Sequence, residues 1–175
     1  MPNGPTELTP LRAARLELRS VRLTDAAFFV TLLNEPTWIE NIGDRGVRTQ
    51  AQAESYIRER IWSQYATHGF GLYVVQAAAT AQPLGLCGLV RREFLPGPDL
   101  GVALLPEWVG HGYAGEAAGA VIAHAQAMLA IEPLYAITRP GNHRSIRMLG
   151  RLGFHREGPI PVPPEGTEAE LYVRP

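Results

Sequence analysis

The chain has 175 residues, of which 46% are hydrophobic and 19% charged, a length and composition typical of one globular domain. Its 16 basic and 17 acidic residues give a formal net charge of -1, so no overall field attracts nucleic acid or an acidic membrane. The single cysteine, Cys87, excludes an intramolecular disulfide and a cysteine-built metal site. The N-terminus lacks a signal-peptide pattern and no apolar run is long enough to span a membrane, so we expect a soluble cytoplasmic protein.

The first half of the chain predicts an arm, one strand and two helices. Residues 1–10 contain three prolines and are expected to form a loose N-terminal arm. The elements that follow are a strand at Leu16–Val21, a helix at Ala26–Leu33 ended by Asn34 and Pro36, and a helix from Thr49 to His68. Thr49 and Gln52 have the spacing of a capping box, which is typical of a helix start.

The second half predicts six strands and two further helices. The strands are Phe70–Gln76, Leu84–Arg91, Asp99–Leu105 and Leu134–Thr138, with two more in residues 154–175, and the helices are residues 112–130 and Asn142–Leu152. The fold class is therefore α/β, of the α+β kind, with a mixed, mostly antiparallel sheet of six or seven strands flanked by about four helices. No linker or repeat divides residues 1–175, so we expect a single domain.

A glycine-rich corner joins the predicted strand at Asp99–Leu105 to the long helix that follows. Gly110, Gly112 and Gly115 allow positive φ and close approach, so successive N–H groups there can converge on one anion at the helix start. This pattern predicts a phosphate or pyrophosphate site, and a tight, empty turn is the alternative. The glycines also match a dinucleotide-binding fingerprint, but they do not follow the strand directly and no acidic residue ends the next strand, which excludes it.

Three separated stretches of the sequence share one family pattern. They are Ala14-Arg-Leu-Glu-Leu-Arg19, Leu105-Pro-Glu-Trp-Val-Gly-His-Gly-Tyr-Ala-Gly-Glu-Ala117, and Asn142-His-Arg-Ser145 followed by Leu152-Gly-Phe154. In these stretches the chain resembles the GCN5-related N-acetyltransferase (GNAT) superfamily, and it is most similar to the branch of ribosomal-protein serine/alanine N-terminal acetyltransferases. The resemblance covers about residues 13–158 and implies the GNAT fold.

The resemblance also implies a co-substrate, acetyl-CoA, and no metal. Backbone amides of the glycine-rich loop would contact the pyrophosphate, and the end of the preceding strand would pair with the pantetheine arm. The cofactor-binding positions implied are Leu104, Leu105, Val109, Gly110, His111, Gly112, Tyr113, Ala114, Gly115, Asn142 and Ser145. Arg144 and Arg147 either reach the nucleotide phosphates or are solvated helix arginines.

The acid and the base that are usual in this superfamily are both absent. By resemblance, the acid position is seven residues after Asn142, where this chain has Leu149, and the base position falls on Ile137. Ser145 is the residue that we expect to assist the leaving sulfur, although an unperturbed hydroxyl is a poor acid.

Acidic side chains near the expected mouth of the site are the candidate bases. Glu40 and Asp44 lie in the segment that the resemblance places over the acceptor, where they would attract a protonated amine, and Glu93 and Asp99 are further candidates. For each of the four, a solvated loop charge is the alternative interpretation.

The sequence thus predicts an N-acetyltransferase that moves an acetyl group from acetyl-CoA to a primary amine. The acceptor is a protein N-terminus or a small-molecule amine, and a homodimer is left open. Because the usual acid and base are absent, a second hypothesis is an acyl-CoA-binding module with little or no catalysis. The five histidines form no metal-binding pair, and aromatic residues are not interleaved with a basic patch, so neither metal chemistry nor nucleic-acid binding is predicted.

Overall fold

A computed structural model describes residues 6–164 and 166–175 as eight strands in one sheet, in the order β1-β2-β3-β4-β5-β6-β8-β7. The strands are β1 (Leu11–Arg12), β2 (Leu16–Ser20), β3 (Leu72–Ala77), β4 (Pro83–Val90), β5 (Asp99–Leu104), β6 (Leu134–Thr138), β7 (His155–Val162) and β8 (Thr167–Arg174). All neighbouring strands are antiparallel except β5 and β6, which are parallel. The predicted fold class is confirmed, with one strand more than expected.

The helices lie between these strands. They are α1 (Ala26–Leu33), α2 (Pro36–Asn41), α3 (Gln50–Tyr56), α4 (Ser63–His68), α5 (Tyr113–Leu129) and α6 (His143–Arg151). A π-helical stretch, Ile57–Trp62, joins α3 to α4, so the predicted helix over this part of the chain is one continuous rod. The predicted capping box is present, because Thr49 accepts from the Gln52 N–H at 3.2 Å while the Gln52 side chain accepts from the Thr49 N–H.

Two short elements were not predicted. Helix α2 begins at Pro36, which was predicted only to end α1; proline is favoured at the first helical position because no N–H is needed there. Strand β1 has two residues, too few for a periodic pattern. Within the predicted N-terminal arm, Leu8 is buried and its N–H donates to Ser20 Oγ at 2.8 Å, whereas residues 1–5 lie outside the described residues.

Apolar side chains from both sheet faces and the helices form the core. Cys87 on β4 is fully buried, and burial raises the pKa of its thiol, which fits packing and not nucleophilic chemistry. The face of α5 that packs on the sheet contains Ala117, Ala118, Val121 and Ile122. None of the helices formed by residues 6–164 and 166–175 combines the length and apolar character needed to cross a membrane.

Candidate active site

The sheet splits between β5 and β6. These two strands pair at one position only, Asp99 with Tyr135, and beyond it each strand pairs only on its other side, β5 with β4 and β6 with β8. This pair lies near the amino end of each strand. Because the two strands are parallel, the gap between them opens toward the carboxyl ends of both. Residues 101–104 of β5 therefore face the gap with a free strand edge, which an extended ligand can pair with.

The glycine-rich loop lies at the wide end of this gap, between β5 and α5. Gly110 and Gly112 have φ values of +88° and +82°, conformations that favour glycine. Gly112 is also the N-cap of α5, a helix of 17 residues. Among the described residues, the N–H groups of positions 110–115 donate to no acceptor, whereas the Glu116 N–H bonds the Gly112 carbonyl. A row of free N–H groups at a helix start is a fitting site for a phosphate.

Arg15, just ahead of β2, fixes the loop in place. Its backbone N–H and its Nε donate to the two carboxylate oxygens of Glu116, at 2.6 and 2.8 Å, and its Nη2 donates to the His111 carbonyl at 3.1 Å. The guanidinium also lies 4.3 Å from the centre of the Tyr113 ring, a cation–π contact. Sequence reasoning assigned no role to Arg15, because its partners are about a hundred residues away along the chain.

The other predicted cofactor residues of this loop are placed around the same corner. Leu105 is buried and its N–H donates to the Leu84 carbonyl at 2.8 Å, while Leu104 ends β5. Val109 is half-buried in extended backbone, and the His111 ring stacks on Tyr113 with centroids 5.9 Å apart. Ala114 and Gly115 form the first turn of α5.

Asn142 and Ser145 lie at the start of α6, the helix that follows β6. Asn142 is the N-cap, because its Oδ1 accepts from the Ser145 N–H at 3.2 Å, which leaves the Asn142 Nδ2 hydrogens free to donate elsewhere. Since β5 and β6 are parallel, the starts of α5 and α6 lie at the same edge of the sheet. Leu149 is buried in the core and Ile137 is half-buried on β6, so neither position supplies a proton-transfer group.

Asp99 occupies the point where the sheet splits. Only 1% of this residue is exposed, and Arg92 Nε donates to both of its carboxylate oxygens, at 3.0 and 3.2 Å. Burial raises the pKa of Asp99 to about 6, and the charge of Arg92 offsets this only in part. A carboxylate with such a pKa is better matched to accepting a proton near neutral pH than an exposed one.

The two acceptor-side carboxylates named from the sequence have different surroundings. Asp44 accepts from both Nη1 and Nη2 of Arg48 and from the Gly46 N–H, and these hydrogen bonds lower its pKa to about 2. A carboxylate held in this way is a weak base. Glu40 is exposed on α2. Among the residues that the structure describes, no three His, Cys, Asp or Glu side chains are grouped to hold a metal ion.

Comparisons with known proteins agree with this geometry. Residues 15–155 match the acetyltransferase (GNAT) domain family, and the chain therefore belongs to the GNAT family. The Bacillus subtilis (strain 168) protein YkkB is 28% identical over 152 residues, which are 84% of this chain and 86% of YkkB.

Solved structures share the whole fold. An acetyltransferase from Agrobacterium tumefaciens str. C58 has a TM-score of 0.80 at 22% identity, covering 100% of this chain and 99% of that one. RimL, a ribosomal L7/L12 alpha-N-protein acetyltransferase solved with coenzyme A, also has a TM-score of 0.80, at 16% identity, covering 95% and 97%. The resemblance to the GNAT superfamily is thus confirmed.

The buried Asp99 predicts an unusual dependence of stability on pH. Its pKa is about 6 in the folded chain against 3.8 for an ordinary aspartate, so between these values the folded chain holds a proton that the unfolded chain has released. The free energy of unfolding should then fall by about 2 kcal/mol as the pH rises from about 4 to about 6, and by about 3 kcal/mol over the whole titration. Urea unfolding across this range, with wild type and Asp99→Asn, measures the effect, which the variant should lack.

Asp44→Asn is the matched control, because Asp44 titrates below pH 4 and should leave the slope between pH 4 and 6 unchanged. An equal slope in wild type and Asp99→Asn would show that Asp99 is not the group responsible.

Proposed function

We propose that this chain is an N-acetyltransferase that transfers an acetyl group from acetyl-CoA to a primary amine, either a protein N-terminus or a small molecule. The observation that carries the proposal is the free N–H row of residues 110–115 at the wide end of the β5–β6 gap. A pyrophosphate fits that row, and an extended arm fits the free edge of β5. Family membership supports the same class of reaction.

The pyrophosphate and the pantetheine arm of acetyl-CoA each have a matching group in the chain. The amides of Gly110 to Gly115 would hold the pyrophosphate, the free edge of residues 101–104 would pair with pantetheine, and Asn142 Nδ2 would donate to that arm. Glu116 would otherwise repel a phosphate from the helix start, but its charge is neutralised by Arg15. The field of the helix is therefore preserved at the point where the anion would bind.

The chemistry needs a neutral amine and a proton for the leaving sulfur. Acetyl-CoA supplies an activated thioester when bound, and the acetyl carbon exchanges its bond to sulfur for a bond to nitrogen. Asp99, with its raised pKa, is the group that would accept a proton from the amine, through water because its carboxylate is buried. The proton released by the amine would pass to the leaving sulfur through water, while Ser145 donates a hydrogen bond to that sulfur. Positioning in the gap would supply much of the rate.

A module that binds acyl-CoA without catalysis is the second hypothesis. Leu149 and Ile137 support it, because they occupy the positions where the superfamily usually has its acid and base. Release of free CoA that depends on an added amine separates the two functions, since a binding module retains affinity for acetyl-CoA but shows no turnover.

Gly112 provides the test of the cofactor site. In Gly112→Val the left-handed backbone becomes strained, and the new Cβ would lie 3.4 Å from Arg15 Nη2. Affinity for acetyl-CoA, measured by calorimetry, should fall more than about tenfold. Gly119→Val is the control, because Gly119 lies on the same helix without a positive φ or a near neighbour. Wild-type affinity in Gly112→Val would contradict the proposed site.

Ser145 provides the test of the sulfur-side role. Ser145→Ala should lower kcat by about tenfold, nearer to the loss of a positioning hydrogen bond than to the roughly 10² to 10⁴ of a dedicated acid. Ser63→Ala is the control, because that hydroxyl only donates to the Glu59 carbonyl of its own helix. If Tyr113→Phe lost most turnover while Ser145→Ala kept it, the assignment would be wrong.

Asp99 predicts the pH profile of the reaction. Because the base must be deprotonated, kcat/KM should rise with pH around about 6 in the wild type. In Asp99→Asn the activity should be at least about tenfold lower and this rise should be lost. An Asp99→Asn enzyme that keeps the wild-type profile would show that another group takes the proton.

A further inference from the structure

A groove of about 440 Å³ opens between the segment after α2 and the rod formed by α3 and the π-helical stretch. The polar residues that line it are Arg45, Gln52, Ser55, Tyr56, Glu59 and Arg60, and we call it the arginine groove. Its size suits a small molecule or the first residues of a peptide. The cofactor residues described above lie elsewhere, at the carboxyl ends of β5 and β6.

The charge of the arginine groove is positive. Arg45 and Arg60 are exposed and form no ion pair within the described residues. Nearby arginines of the same segments do form pairs: Arg48 with Asp44, and Arg58 with Glu54. Glu59 is the one carboxylate among the lining residues, so two guanidinium groups face one carboxylate. An arginine without a carboxylate partner is available to an anion from solution.

Tyr56 is a half-buried residue that lines the groove. Burial raises the pKa of its phenol, and the charges of Arg45, Arg60 and Arg92 partly oppose this, so all three guanidinium groups lie within electrostatic reach of the hydroxyl. The phenol therefore stays protonated and can donate. Within the described part of the chain, neither the Tyr56 hydroxyl nor the Ser55 hydroxyl forms a hydrogen bond, so both are available as donors beside the arginines.

Arg92 connects the groove to the split in the sheet. It is close enough to Tyr56 to affect the phenol, and its Nε is bonded to Asp99. The groove and the carboxylate of Asp99 are therefore linked through one side chain, that of Arg92.

We propose that the acetyl acceptor is an amine that also carries an anionic group, a carboxylate or a phosphate, which Arg45 and Arg60 bind in the arginine groove. This inference rests on the proposed acetyl transfer and narrows its substrate class. A guanidinium presents a rigid fork of donors that matches the oxygens of either anion, and the Tyr56 and Ser55 hydroxyls complete the donor set. A polyamine, by contrast, would meet like charges in the same groove.

The experiment uses matched acceptors that differ only in the anion. Phosphoethanolamine is compared with ethanolamine, an α-amino acid with its carboxamide, and spermidine serves as the polycationic acceptor, with CoA release as the readout. In the wild-type enzyme at low salt, kcat/KM for at least one anion-bearing amine should be at least tenfold higher than for its partner without the anion (the neutral amine of each pair). It should also be higher than kcat/KM for spermidine. Which of the two pairs shows the larger ratio distinguishes phosphate from carboxylate.

The double variant Arg45→Gln with Arg60→Gln should remove that preference while activity on the neutral amine changes less than twofold. Arg58→Gln is the matched control, since Arg58 is exposed on the same rod but pairs with Glu54 outside the groove. A wild-type enzyme that prefers the neutral amines or spermidine would overturn the proposal, and so would a preference for anions that survives the double variant.

A calorimetric arm separates this proposal from acetyl transfer itself. If no amine releases CoA, the proposed function fails, and binding of phosphoethanolamine and of the α-amino acid to the protein then decides the groove alone. Binding that is at least tenfold weaker in the double variant than in Arg58→Gln supports the groove as an anion site. Binding that is absent in the wild type, or equal in the two variants, overturns it.

Discussion

The pairing of Asp99 with Tyr135 is the constraint on which the site depends. It is the one position where β5 and β6 pair, and two residues just before Asp99 also contact Tyr135. The Tyr135 N–H donates to the Pro98 carbonyl at 3.0 Å, and a Cβ on Gly97 would lie 2.9 Å from the Tyr135 ring. Because the strands are joined there and nowhere beyond, the sheet opens without breaking into two. The same junction removes Asp99 from water, which sets its pKa.

The electrostatics of the loop depend on a second contact, between Arg15 and Glu116. A carboxylate in the first turn of a helix favours the helix itself, because it compensates the positive end of the dipole. At an anion site the same carboxylate would compete with the ligand. Two hydrogen bonds from Arg15 go to this carboxylate, whose charge the guanidinium neutralises, and a third goes to the His111 carbonyl. The free amides therefore keep the favourable field of the helix and their direction. The row of free N–H groups is thereby held in place by the chain itself.

Local patterns predicted most of the fold, and distant pairings account for what they missed. Alternation and helical periodicity located seven strands and the main helices, and glycine spacing located the loop between β5 and α5. No local pattern indicated that Arg15 bonds Glu116, or that Asp99 is the residue at the junction of the sheet. Asp44 shows a further limit of prediction from sequence. The sequence contains a carboxylate near the expected mouth of the site, but it does not show that this carboxylate is already paired with Arg48. The difference between a paired and an unpaired charge depends on side-chain geometry, which neither composition nor spacing contains.

The proposed arginine groove leaves the proton transfer to another part of the chain. In the proposed complex the guanidinium groups of Arg45 and Arg60 pair with the anion of the acceptor, so they position the molecule and do not deprotonate its amine. The anion of the acceptor offsets the desolvation of the arginines, while the amine at the other end of the molecule reaches toward the split in the sheet. Arg92, which approaches Tyr56 on one side and bonds Asp99 on the other, belongs to both environments. In the proposed transfer the groove would supply the position of the amine, and Asp99, with its raised pKa, would accept its proton. Leu149 and Ile137 would then be compatible with the proposed transfer, because neither position is needed for proton transfer.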